Sequence, residues 1–153
     1  KKVDLKNLLD NVLALGSNIS IKDGKACIDF TQGIDIRLVN DADIADINAM
    51  RIKEVHFAWD NPADDLEEKF RLYAKQATHK PHGQYGTVYV LTNYNSTMEE
   101  NLYRIYTLRD MGYDPYVMIY DKPHAPKEIR RLQRWCNNKI VFKSCQKFED
   151  YQP

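Results

Sequence analysis

What most constrains the fold of this chain is the order of its last ninety or so residues, where apolar runs ending in polar residues alternate with capped amphipathic helices. Such alternation is a βα repeat, and repeated βα units pair their strands in parallel. Strands are expected at Cys27 to Phe30, Val55 to Trp59, Val88 to Leu91, Tyr116 to Tyr120 and Ile140 to Phe142. All are short and rich in Val, Ile, Phe and Tyr, which predicts strands too apolar for a sheet wet on one face. Their C-terminal ends carry Thr31-Gln32-Gly33, Asp60-Asn61, Thr92-Asn93 and Asp121-Lys122. Polar side chains therefore gather where parallel strands present their ligand sites.

The helices follow from apolar spacing and caps. Leu5, Leu8, Leu9, Val12 and Leu13 share one helical face between Asp4 as N-cap and Gly16 as stop. Residues 17 to 26 read as a loop with a turn at Asp23-Gly24. A second helix is expected from Asp41 to Met50, capped by Asn40 or Asp41. Asn61-Pro62 with Asp64, Asp65, Glu67 and Glu68 predicts a third, whose buried stripe is Leu66, Phe70, Tyr73, Ala74 and Ala77. Ser96 with Glu99 three residues on is a capping box for the next, which closes at Gly112. A last helix opened by Pro126 turns Ile129, Leu132 and Trp135 or Cys136 inward and shows Lys127, Arg130, Arg131 and Arg134 on its other face.

Composition narrows the function classes. The chain of 153 residues reads as a single α/β domain over 1–153, of a size that buries roughly two thirds of its unfolded surface. Its 22 Lys and Arg balance 22 Asp and Glu, so overall charge gives no case for a nucleic-acid or anionic-membrane partner. No apolar run approaches the roughly twenty residues of a membrane span, and a cytoplasmic location is expected. Cys27, Cys136 and Cys145 are odd in number and widely spaced, which favours packing over a disulfide framework or a zinc site. His79 and His82 share a proline-containing loop without a third metal ligand nearby. The stretch His82-Gly83-Gln84-Tyr85-Gly86 is neither a dinucleotide fingerprint nor a P-loop. The basic face of the last helix has no aromatic interleaving and reads as a solvated face.

Particular residues carry a further signal. The segment Asp29-Phe-Thr-Gln-Gly-Ile-Asp-Ile-Arg-Leu38 precedes a helix and then Glu54-Val-His-Phe-Ala-Trp-Asp60. Downstream come Val90-Leu-Thr-Asn-Tyr-Asn-Ser-Thr-Met-Glu-Glu100, Arg109-Asp-Met-Gly-Tyr-Asp-Pro-Tyr-Val-Met-Ile-Tyr-Asp121 and Arg131-Leu-Gln-Arg-Trp-Cys-Asn-Asn138. From about Asp29 onward this resembles the fourth and later strands of radical S-adenosylmethionine enzymes. The resemblance implies the later half of a TIM-like partial barrel. In that family a four-iron four-sulfur cluster cleaves S-adenosylmethionine to a 5′-deoxyadenosyl radical. The family's Cys-x3-Cys-x2-Cys loop and Gly-Gly-Glu stretch occur nowhere in these residues. The chain is therefore expected to be a C-terminal portion, inactive alone, whose partner is the N-terminal half of the barrel.

Position by position, the resemblance implies cofactor contacts from Gln32, Asp35 and Arg37 to the ribose and the methionine carboxylate. Asp60 would lie beside the adenosyl group, and Thr92, Asn93 and Asn95 near adenine. Asp35 and Arg37 equally fit a local ion pair, and Asp60 and Asn95 equally fit helix caps. No residue identifies the substrate. Two other readings stand beside this one: a self-contained α/β nucleotide- or small-molecule-binding module, flavodoxin-like or otherwise, and a divalent-metal hydrolase using Asp35, Asp60 and Asp121. The portion reading also predicts an exposed apolar strand edge near Cys27, open to dimerisation.

Overall fold

A computed structural model describes residues 18–22 and 25–153. The helix expected over Leu5 to Leu13 and the turn at Asp23-Gly24 lie outside the described residues. Ten elements follow in chain order: β1 (Asn18–Lys22), β2 (Lys25–Ile34), α1 (Asp41–Ala49), β3 (Ile52–Ala58), α2 (Glu67–Gln76), β4 (Thr87–Thr92), α3 (Met98–Asp110), β5 (Asp114–Ile119), α4 (Lys127–Asn137) and α5 (Lys139–Ser144). They build an α/β structure on one five-stranded sheet of order β1-β2-β3-β4-β5. β2 to β5 run parallel, and β1 is antiparallel to β2.

Sequential parallel order has a geometric consequence. Right-handed crossovers between successive neighbours put every intervening helix on the same face, whereas a doubly wound sheet must reverse its strand order to cover both. The flavodoxin-like order is thereby excluded for β2 to β5. Val55, Phe57, Val88, Val90 and Val117 are fully buried on the helical face. Phe57 meets the rings of Phe70, Tyr73 and Tyr113 edge-on, at centroid distances of 5.9, 4.9 and 6.0 Å. Val117 shares a cluster with Ile105, Leu132 and Trp135. The alternate residues Glu54, His56, Tyr89, Tyr116 and Met118 point the other way. On β5 that face is wet, with Tyr116 42% and Met118 45% exposed. The expectation of strands buried on both faces is corrected at β5, where among the described residues the helices cover one side.

Several boundaries differ from the sequence reading, each for a local reason. The loop expected over 17–26 contains β1 and the start of β2; Asn18-Ile-Ser-Ile-Lys22 alternates polar and apolar, the period of a strand. Ser20 pairs with Cys27, so the strand edge expected to be open near Cys27 is occupied by this chain's own β1. Asn61 caps a turn rather than the third helix. Its Oδ1 accepts from Ala63 N at 3.1 Å, and Trp59 Nε1 donates to the Asp64 carbonyl at 3.0 Å. That carbonyl is thus withdrawn from helical pairing, and α2 starts at Glu67.

The capping box of α3 is Thr97 with Glu100, one residue later than expected: Thr97 N donates to Glu100 Oε2 at 2.7 Å and Glu100 N to Thr97 Oγ1 at 3.2 Å. Gly112, at φ +93°, ends that helix in the left-handed conformation that suits glycine. The strand expected at Ile140 to Phe142 is helix α5. Asn138 Oδ1 caps it through Ile140 N and Val141 N, Phe142 packs on Trp135 at 4.8 Å, and Ile140 is left 81% exposed. The sheet therefore ends at β5, where side chains from α4 take the outward backbone groups of Val117. Asn137 Oδ1 accepts its N–H at 2.7 Å, while Gln133 Nε2 and Asn137 Nδ2 each donate to its carbonyl at 3.1 Å. An edge strand so occupied cannot pair onward at that residue.

Candidate functional site

Between Phe30 and Ile34 strand β2 advances four residues while β3 advances only from Val55 to Phe57. The excess backbone bulges outward at the C-terminal rim, with Gly33 at φ +94°. The bulge lifts Gln32 above the sheet, and the turn that follows brings round Asp35 and Arg37. Asp60 arrives from the end of β3. All four line one cavity of about 310 Å³, joined by Asn61 and Asp64.

Within the cavity Asp35 and Arg37 form a forked pair: Arg37 Nε donates to Asp35 Oδ1 at 2.9 Å and Nη2 to Oδ2 at 2.8 Å. The guanidinium holds the Asp35 carboxyl below the usual carboxylate range, and the carboxylate raises Arg37 in turn. Asp64 lies 3.8 Å from the same guanidinium. Asp60 behaves oppositely. It has an exposed side, yet the packed rim around its carboxyl raises its pKa, against the opposing charge of Arg104. One cavity thus holds a carboxylate forked onto a guanidinium and readily ionised, and a second, bonded to the Leu91 backbone, that retains its proton more readily.

Arg104 was not singled out by the sequence reading. Its side chain is fully buried beneath the rim, and all five guanidinium donors are used. Nη1 reaches the carbonyls of Trp59 (2.6 Å) and Asp60 (3.0 Å), Nη2 those of Leu91 (3.0 Å) and the Asn101 side chain (2.6 Å), and Nε that of Glu100 (3.3 Å). Burial pulls its pKa down to about 10, so it stays charged at neutral pH. It ties the C-terminal ends of β3 and β4 together and sets the Asp60 backbone. The signal for it is its place on the inward stripe of α3 with Asn101, Ile105 and Leu108.

A second set was also missed, on the sheet face away from the helices. His56 uses both ring nitrogens, Nδ1 at 3.1 Å from the Tyr89 hydroxyl and Nε2 at 3.4 Å from Glu54. Tyr89 meets Tyr116 edge-on at 5.9 Å. Burial, with Tyr116 and Glu54 close by, raises the Tyr89 hydroxyl. Beside them the buried Asp29 pairs with Lys53 at 2.9 Å.

The remaining predicted residues do not join the cavity. Asn93 sits at φ +61° and donates to the Tyr120 carbonyl at 2.9 Å, and Thr92 Oγ1 donates to that of Met118 at 3.0 Å. Both lock the end of β4 to β5. Asn95 is exposed and does not cap α3. Asp121 pairs with His124 at 2.9 Å, and no group of three His, Cys, Asp or Glu converges among the described residues. The three-carboxylate arrangement of Asp35, Asp60 and Asp121 is therefore not formed. His79 stacks on Tyr85 at 4.6 Å while His82 lies 3.6 Å from Asp114, so the two imidazoles serve different partners. The buried Cys136 donates to the Pro115 carbonyl at 3.4 Å, and burial pushes its thiol up. Among the described residues no helix is long and apolar enough to cross a membrane. Comparison with protein-family models, curated proteins and solved structures finds no match.

Proposed function

We propose that this chain supplies the later half of a radical S-adenosylmethionine barrel and that its rim cavity contributes contacts to S-adenosylmethionine. The observation that carries the reading is the convergence of Gln32, Asp35 and Arg37 from the end of β2 and its following turn, and Asp60 from the end of β3, on one cavity. Sequential parallel strands with helices on one side add support, since a barrel wall has that layout. A cavity of about 310 Å³ lies at the lower end of small-molecule sites. Its amides, carboxylates and guanidinium suit the polar ends of the cofactor: Gln32 and Asp60 can bond ribose hydroxyls, while Arg37, steadied by Asp35, presents charge to a carboxylate. When bound with a four-iron four-sulfur cluster, S-adenosylmethionine supplies radical chemistry; the cluster's cysteine loop would come from residues other than these 153.

A self-contained binding module at the same cavity is the second reading, favoured by a different observation. The edge of β2 is covered by β1, and that of β5 is closed at Val117 by Asn137 and Gln133. Both sides of the parallel block are finished.

The deciding experiment reads the coding sequence upstream of Lys1 and assays the whole product. A Cys-x3-Cys-x2-Cys loop is expected, with anaerobic release of 5′-deoxyadenosine that falls at least about thirtyfold, or roughly 2 kcal/mol, in the Gln32→Ala, Asp35→Ala, Arg37→Ala triple variant. Absence of the loop, or cleavage unchanged in the triple variant, overturns the proposal in favour of the module.

A further inference from the structure

A groove of about 730 Å³ runs along the outer side of β5, between the strand and the α4–α5 corner. Its walls carry Lys122, Arg134 and Lys139 together with Tyr116 and Tyr151, and no carboxylate among the described residues. In a chain of zero net charge this is local segregation of cations. None of the three has an ion-pair partner among the described residues. The backbone beneath is already closed by Asn137 and Gln133 on Val117, so an added β-strand is not the natural occupant.

The groove continues into a second cavity of about 320 Å³ at the opposite end of the strands from the rim site. The two share Tyr116, Asn137 and Lys139, and the second adds Arg109 and Lys143. Asp114 is the carboxylate there, and it is spoken for by the backbone N–H of Gly83. Arg109 lies over the Phe142 ring at 4.7 Å, its Nη2 donates to the Gln146 carbonyl at 2.6 Å, and its Nη1 is buried with no partner. The Arg109 charge, held against this ring beside Lys139 and Lys143, makes the second cavity attractive to an anionic group.

We propose that this lane binds a single-stranded nucleic acid, independently of the rim cavity. Lys122, Arg134 and Lys139 take successive phosphates, Arg109 and Lys143 extend the track, and a base stacks on Tyr116. Cations spread over two adjoining cavities suit a chain of phosphates better than one small anion. An exposed tyrosine between them suits an unpaired base, which a duplex does not offer. The basic face of α4 read from sequence is only partly involved. Arg131 turns inward to the Phe148 and Tyr151 carbonyls and Arg130 to that of Pro123, leaving Arg134 to the groove.

The test is fluorescence anisotropy with labelled oligothymidylate and oligouridylate of about 12 nucleotides, within the usual footprint of single-strand binders. Saturable binding is expected, with log K falling against log salt at a slope between about −2, for the three groove cations alone, and about −3.5, for all five. The Lys122→Gln, Arg134→Gln, Lys139→Gln triple variant should weaken binding at least about tenfold and flatten the slope. Tyr116→Leu should weaken it about five- to tenfold with the slope kept, since stacking is insensitive to salt. No saturable binding of either oligonucleotide at about 50 mM salt overturns the proposal, as does a triple variant that binds equally well. Equal affinity for polyglutamate overturns it in favour of an acidic protein segment.

Discussion

The two faces of the sheet are made by the same strands and differ in almost everything else. Toward the helices stand Val55, Phe57, Val88, Val90 and Val117, all without solvent exposure, their side chains held by packing alone. Away from the helices, one residue along each strand, stand Glu54, His56, Tyr89 and Tyr116, tied in sequence by a carboxylate–imidazole contact, a hydrogen bond and a ring contact. The covered face derives its stability from area removed from water, which is indifferent to detail. The other depends on geometry, because each polar group there needs one particular partner. Apolar packing and polar pairing are thus divided by strand parity.

That division is tested most severely by Phe57→Ala. The substitution deletes the ring around which Phe70, Tyr73 and Tyr113 gather and should cost about 3–5 kcal/mol in denaturant unfolding. A cost below about 1 kcal/mol would mean that the covered face is not the main source of stability. Arg104→Met comes next, at about 3 kcal/mol, because the carbonyls of Trp59, Asp60 and Leu91 lose buried donors while the volume is kept. Arg104→Lys should recover only part of this, since an ammonium has three donors and no planar fork. Full recovery by lysine would assign the role to charge alone.

These two residues also mark how far the sequence could be read. Phe57 stood in a β-branched and aromatic run, and such runs located β3, β4 and β5 to within a few residues. Gln32 and Asp60 were legible as rim positions because polar residues after apolar runs fall at strand ends whatever the order of the sheet, whereas Asp35 and Arg37 rested on the family resemblance alone. Arg104 was not, because an arginine on a helix is by default a surface residue, and only packing shows five acceptors converging on it. The α3 start slipped by one residue because Ser96-Glu99 and Thr97-Glu100 fit the same capping pattern, and local chemistry does not choose between them. Ile140-Val-Phe142 is too short for periodicity to separate strand from helix, and contact of Phe142 with Trp135 decided it. The His56 and Tyr89 pair needed the register of β3 against β4, which no single strand contains.

Tyr89→Phe probes the polar face with minimal change of shape. Loss of the 3.1 Å bond to His56 should cost about 1 kcal/mol, a fall in melting temperature of about 2–4 °C at this size. It should also remove from a spectroscopic titration one tyrosine ionising above the ordinary value. A titration curve unaltered by the substitution would show that the face does not shield Tyr89 from water.

The smallest effect separates charge from packing on that same face. Lys53 lowers the pKa of Asp29, and Asp29 raises that of Lys53. A carboxylate with a depressed folded pKa adds stability above its unfolded value, about 4, and loses it as pH falls through the folded value. A lysine with a raised folded pKa adds stability below its unfolded value, about 10.4, and loses it as pH rises through the folded one. Asp29→Asn keeps an oxygen for the Thr31 N–H, now bonded at 2.9 Å, and removes the charge together with the Oδ2 acceptor that Lys53 now bonds. Its melting temperature should trail the parent's by less than that of Tyr89→Phe, by a constant gap across neutral pH. The gap should close at both extremes, first narrowing below about pH 4 and again above about pH 10.4. A gap that stayed open at both ends would place the contribution of Asp29 in the shape of its side chain, and the open face would then resemble the covered one more than its polar residues suggest.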